Sequence, residues 1–311
     1  MQHIFAGNPL DRADAQRRDA DWLQQAMRSA DARFLPLHKL QVPLRQTNAS
    51  TAETAELHWL SHAELAALKT AEPSAADPTA EELSVLLGLD SGAPRFAHAL
   101  VAEETTDTLA FTDCRRAAMQ LSPSEAGIVA QARSQIDWHL RNRYCGSCGE
   151  PSHLERGGQI RCCDQCNAQI FPRTDPVVIM LITHKDRCLL GKPAQLPANM
   201  NFYSALAGFI DQGESIEEAV RREVFEEAGV RVGGVSYHSS QPWPFPASLM
   251  IGCVGEALTD QIQIDPREMA DAAWFTKEQI RSAFAGEQDY QMPGPIAIAH
   301  HLIMHWFNAN D

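Results

Sequence analysis

At 311 residues, 44% of them hydrophobic, the chain is too long for one small catalytic domain and holds ample material for a core in each of two. A formal net charge of -14 argues against strong nonspecific attachment to nucleic acid or to an anionic membrane. There is no apolar run of about 18 residues or more, and the start Met-Gln-His-Ile-Phe-Ala-Gly-Asn lacks the basic opening and apolar stretch of a signal peptide. A cytoplasmic protein with neither a membrane nor DNA as partner is expected.

Residues 1–122 carry no pattern that points to chemistry. Helix formers alternate with strand-like pieces at 33–40 and 97–101, which predicts a small mixed α/β domain with an exposed Ala, Pro and Ser-rich loop at 70–79. Ser122-Pro123-Ser124-Glu125 starts a helix, with Pro123 in its first turn, and Ile128, Val129, Ala132, Ile136 and Leu140 continue it. It is read as a connection over 123–144, with Trp138 packed and His139 at the surface.

Five of the eight cysteines then fall between Cys145 and Cys166. Cys145-Gly-Ser-Cys148 and Cys163-Asp-Gln-Cys166 are two Cys-x-x-Cys knuckles, and four thiolates so spaced form a closed tetrahedral zinc site, structural in kind. A zinc ribbon over 145–172 follows, with one structural Zn²⁺ per chain. Cys162 is an alternative to Cys163, although the spacing to Cys166 favours Cys163. Cys114, Cys188 and Cys253 read as buried small residues.

The remaining span, 173–311, reads as a mixed sheet between helices. Strands are expected at 176–183, at 188–192 across a turn, at 203–210, at 249–257 and at 272–275, with closing helices at 277–284 and 296–307. Between them, Ser215 and Glu218 form a capping box and Gly229 a left-handed stop, which bounds a helix at 215–228. On that helix Glu223, Glu226 and Glu227 stand at i, i+3 and i+4. Like charges so placed repel unless a cation sits among them, and carboxylate oxygens suit Mg²⁺ or Mn²⁺.

Gly208, Glu214, Arg222, Glu223, Glu226, Glu227 and Gly229 together match the signature Gly-x5-Glu-x7-Arg-Glu-U-x-Glu-Glu-x-Gly-U, where U is aliphatic. By this match the chain resembles the Nudix hydrolases, which implies a metal-dependent pyrophosphohydrolase. A second array, Ser240-Gln-Pro-Trp-Pro-Phe-Pro-Ala-Ser248, begins ten residues beyond the signature. Alternating prolines exclude a central strand or a helix and make a stiff aromatic wall. By composition alone, a peptide-binding loop or core packing of Trp243 and Phe245 fits equally. In this position the array resembles the marker of the NADH pyrophosphatase subgroup, which also shares the four-cysteine ribbon.

That resemblance implies cleavage of NAD(H) to nicotinamide mononucleotide and AMP, and of NAD-capped RNA to nicotinamide mononucleotide and 5′-monophosphate RNA, by a homodimer. It implies metal ligation by Glu223, Glu226, Glu227 and Glu268, with Glu227 or a water it holds as general base. It implies stacking of a base on Phe209 and Phe171, polar contacts from Gln241 and Ser248, and a backbone approach by Ala297. Gly208 is expected to permit a tight loop, Glu214 to brace it, Gly229 to end the helix, and Arg222 to orient Glu226 while standing off the face of Glu223. Arg141, Arg143, Arg156, Arg161 and Arg173 surround the ribbon, where they guide an RNA body or are simply solvated. The competing readings are a Nudix hydrolase of ADP-ribose or a diadenosine polyphosphate, and an inactive zinc-ribbon nucleic-acid binding module.

Overall fold

The computed structural model describes residues 3–47, 55–69, 83–100, 109–197 and 199–309. It divides into two compact units: Gln2–Arg173 with Trp243–Ala247, here the ribbon unit, and Thr174–Pro242 with Ser248–Asp311, here the box unit. Residues 70–79, expected to be a loop, lie outside the described residues, as does Val101 of the expected strand. Among the described residues no helix is long and apolar enough to cross a membrane.

The ribbon unit begins with a three-stranded sheet in which Ala93–Leu100 is central, parallel to Arg33–His38 and antiparallel to Ser84–Asp90. A second sheet orders Ala55–Leu57, Val42–Gln46 and Phe111–Thr112. The helix Pro123–Arg141 is capped by Ser122, whose side chain accepts from the Glu125 amide. It is more than a connection, because Ile128, Val129, Ala132 and Ile136 enter the core beside Leu35, Val85 and Ala97. Its His139, expected at the surface, is buried with Trp138. The ribbon itself is a small antiparallel sheet of His153–Glu155, Ile160–Cys162 and Gln169–Ile170.

The box unit is built on a six-stranded sheet with the path Val232–Trp243, Ser248–Ala257, Asp175–His184, Arg187–Pro193 and Met269–Thr276, while Leu206–Phe209 also pairs with Asp175–His184. Side chains alternate along a strand, so Asp175–His184 serves two cores. Val178, Met180 and Ile182 meet Ala219, Val220 and Val224 of the helix Ile216–Ala228. Ile179 and Leu181 face Ile280 of the helix Lys277–Phe284, and Ile298, Leu302 and Ile303 of the helix Ile298–Asn308. Pro242 lies near the end of Val232–Trp243, an edge strand, which is where a sheet accepts proline.

Candidate active site

Helix Ile216–Ala228 owes its placement to its ends. The Ser215 side chain accepts from the Glu218 amide, Glu218 accepts from the Ser215 amide, and Gly229 closes the helix at φ 68°. Ala219, Val220 and Val224 bury one stripe, which turns Glu223 and Glu227 towards the strand Leu206–Phe209. A Cβ on Gly208 would lie 1.9 Å from Glu223 Cδ. This corrects the expected role of Gly208: it sits in a strand without a positive φ, and its missing side chain is the space that the Glu223 carboxylate fills.

Glu227 is 9% exposed, and its Oε2 has no hydrogen-bond partner among the described residues. Burial, then the charges of Glu223 and Glu268, push its carboxyl up to about 8 against the pull of the Ala207 amide. Glu223 is also raised, chiefly by burial and against the pull of Arg222. An orphaned buried carboxylate oxygen among other carboxylates is costly unless neutralised by a proton or a cation. The donor set, all oxygen and anionic, fits a hard divalent ion. Glu268 is an exposed residue whose carbonyl accepts from the Ala194 amide at 2.8 Å, and its charge reaches both Glu223 and Glu227.

Arg222 ties this cluster together. Its guanidinium donates to Glu214 Oε1 at 2.6 Å, Glu214 Oε2 at 2.8 Å, Glu223 at 2.7 Å, Glu226 at 2.9 Å and the Phe209 carbonyl at 2.9 Å. The expectation that it stands off Glu223 is therefore corrected: a long side chain folding back along the helix reaches its sequence neighbour. Glu214 also accepts from the Asp211 amide at 2.9 Å, and Arg222 holds its carboxyl down at about 2.

The residues expected to meet a base are placed differently from one another. Phe209 is 57% exposed in the box unit and Phe171 is 61% exposed in the ribbon unit. Ser248 is half-buried at the start of its strand, opposite Asp175. Gln241 is 0% exposed, and both ends of its amide are used: Nε2 donates to the Ile296 carbonyl and Oε1 accepts from the Ile298 amide, each at 2.8 Å. Through these two bonds it braces the segment around Ala297. The Ala297 backbone is itself engaged, with its amide on the Gly294 carbonyl and its carbonyl on the His300 amide.

The array is shared between the two units. Trp243–Ala247 packs within the ribbon unit, where Trp243 and Phe245 meet Phe5 edge-on at 5.9 and 5.8 Å. The Arg115 and Arg133 guanidinium carbons lie 3.7 and 4.6 Å from the Phe245 ring centre.

In the ribbon, Cys145, Cys148, Cys163 and Cys166 have all their sulfurs within 4.8 Å of one another. Among the described residues no other three or more His, Cys, Asp or Glu side chains are gathered so tightly. Amides of Ser147 and Cys148 draw the Cys145 thiol down to about 6. Four thiolates with no further donor fit Zn²⁺. Cys162 stands outside the set. Arg161, expected to be a solvated or RNA-guiding cation, is 1% exposed and bonded to Ser152 and His139. Arg141 is paired with Asp137 at 2.9 Å.

Comparison with known proteins accounts for both units. A NUDIX domain model matches residues 172–293, and an NADH pyrophosphatase-like rudimentary NUDIX domain model matches residues 31–138. Nudix hydrolase 19, chloroplastic, of Arabidopsis thaliana is 32% identical over 380 residues, which cover 98% of this chain and 86% of the relative. The chain belongs to the Nudix hydrolase family. Its Nudix relatives include the NAD-capped RNA hydrolase NUDT12 of Macaca fascicularis, 48% identical over 206 residues that cover 62% of this chain and 44% of that protein. They also include the NAD-capped RNA hydrolase NudC of Stutzerimonas stutzeri, 34% identical over 217 residues that cover 70% of this chain and 75% of that one. The chain thus spans less than half the length of the first of these two. The rudimentary Nudix domain went unread in the sequence because it carries no signature helix with clustered carboxylates.

Proposed function

We propose that the chain hydrolyses the pyrophosphate of NAD(H) to nicotinamide mononucleotide and AMP, and that of NAD-capped RNA to nicotinamide mononucleotide and 5′-monophosphate RNA. The observation that carries the reading is the buried, partnerless carboxylate oxygen of Glu227 beside Glu223, with the Glu268 charge acting on both, in a chain that also keeps the full Ser240–Ser248 array. The names of the NUDT12 and NudC relatives support the same substrates.

Glu223, Glu226, Glu227 and Glu268 would hold Mg²⁺ or Mn²⁺, which when bound shields the phosphates and lowers the pKa of water. Within the protein, Glu227 takes the proton of the attacking water, directly or through a second water. Arg222 keeps Glu223 and Glu226 in place, and Glu214 holds Arg222. Phe209 offers an exposed face for a base, a contact worth roughly 1 to 3 kcal/mol in single-strand binders; Phe171 offers a second such face. Gln241 acts by position, fixing the chain on either side of Ala297, and Ser248 remains the polar group for direct contact. Zn²⁺ in the ribbon is structural. The working form is a cytoplasmic homodimer.

The test gives purified protein NADH and NAD-capped RNA in parallel, with Mg²⁺ or Mn²⁺, and separates the products by chromatography. Nicotinamide mononucleotide with AMP or 5′-monophosphate RNA is expected, and the ratio of kcat/KM ranks the two substrates. No cleavage of either, with turnover of ADP-ribose or a diadenosine polyphosphate, overturns the assignment in favour of another Nudix chemistry.

A further inference from the structure

Histidines concentrate on two neighbouring elements of the box unit that the proposed reaction does not use them for. The helix Ile298–Asn308 carries His300, His301 and His305, and the edge strand Val232–Trp243 carries His238. The rings of His238 and His305 have centroids 4.6 Å apart at an interplanar angle of 65°. His238 Nδ1 lies 2.7 Å from Ser239 Oγ. A proton on Nδ1, donated to that oxygen, leaves the Nε2 lone pair for a ligand. Imidazoles that bind metals are held in this way, by a hydrogen bond from the other nitrogen. His305 is exposed and one turn beyond His301, whose Nε2 donates to the Pro295 carbonyl at 3.0 Å. Residues four apart share a helix face, so His301 borders the same patch.

Neutral imidazole is a ligand for Zn²⁺, Ni²⁺ and Cu²⁺ and a poor one for Mg²⁺. We propose that His238 and His305 form a binding site for a divalent transition-metal ion, with water completing its coordination. The donor type sets it apart from both other clusters: the ribbon offers four sulfurs and the box helix offers carboxylate oxygens. The ion would join the strand to the helix at a second point. Gln241, three residues along the strand, already bonds the Ile296 carbonyl and the Ile298 amide at the helix start. A metal on His305 would secure the last turns of the same helix.

The holoprotein, its ribbon loaded with zinc, is titrated with ZnCl₂ in excess Mg²⁺ and followed by calorimetry and by the imidazole resonances in NMR. The wild type is compared with His305→Gln and His238→Gln, and His300→Gln serves as control, since the His300 ring packs on Phe284 at 5.2 Å and its Nδ1 donates to the Pro293 carbonyl at 2.9 Å. One additional Zn²⁺ equivalent is expected in the wild type and in the control. Its affinity falls by at least about tenfold in the other two variants, and the His238 and His305 resonances move together. The comparison with His305→Gln removes any signal from zinc on the carboxylates, which that variant leaves untouched. Equal binding by wild type and His305→Gln, or imidazole resonances that zinc does not move, overturns the site and leaves the two rings as packing alone. Should His238→Gln fail to fold, His305→Gln, on the exposed face, decides.

Discussion

Two clusters of like side chains, the ribbon thiols and the box carboxylates, are built on opposite plans. The four sulfurs are mutually within reach, two pairs at 3.5 and 3.6 Å, on knuckles whose amides point at them. The carboxylates come from a helix and a distant loop, are tied by one arginine, and leave a buried oxygen unanswered. A closed set has no position for a substrate and can only hold structure. An open set, poorly satisfied by the protein itself, has capacity left for an ion and a reacting group. Its local cost is offset by the two apolar cores of the surrounding sheet.

The comparison is broken most severely at the closed site. Cys145→Ser is expected to lose zinc and unfold the ribbon, because binding free energy at such sites is folding free energy, on the order of 10 kcal/mol. Metal content and a thermal melt check it, and a stable, zinc-free, fully active variant would refute a structural role. At the open site the pattern reverses. Glu227→Gln should lower kcat by about 10²–10⁴-fold while the melting temperature of the zinc-loaded protein without added Mg²⁺ or Mn²⁺ holds or rises, since the substitution removes a carboxyl that is costly to ionise where it sits. Wild-type turnover in this variant would remove Glu227 from the mechanism.

Gly208→Ala tests the same site from beneath. A methyl group 1.9 Å from Glu223 Cδ must displace that carboxylate, so the activating metal should bind about 10- to 100-fold more weakly. Titration of activity against Mn²⁺ measures it.

The smallest effect belongs to the ribbon unit's satisfied burial. His139 Nε2 donates to the Gly158 carbonyl at 2.8 Å, and Nδ1 faces Arg161 at 3.4 Å, so the ring is neutral. Burial, and then the Arg161 charge, lower it from 6.5 to about 4 despite the bond to Gly158. The unfolded chain therefore binds the proton first. The stability contributed by neutral His139 is present above pH 6.5 and lost as pH falls towards 4. Melting temperature against pH should fall more steeply over that window in the wild type than in His139→Gln.

What was legible in the sequence was local. The signature helix is bounded by Ser215, Glu218 and Gly229, all within or next to it, and the four cysteines lie on two short knuckles. What was illegible depended on distant partners. Gln241 reads only as a ligand contact, and its bracing bonds to Ile296 and Ile298 come from 55 and 57 residues on. Arg161 reads as a surface cation until Ser152 and His139 enclose it. His139 reads as surface because the helix bearing it is covered on a side that its own periodicity does not reveal. Gly208 reads as a turn residue because nothing in its neighbourhood announces a carboxylate arriving from 15 positions away.

The assignment of Trp243–Ala247 to the ribbon unit has a topological consequence. The box unit is interrupted in the chain by five residues that belong elsewhere, so no single cut separates two complete modules. A chain shortened to begin at Thr174 retains those five residues but loses Phe5, Arg115 and Arg133, and with them the groups that cover its Trp and Phe rings. The ribbon unit is therefore completed only by residues that come after most of the box unit's strands in the chain.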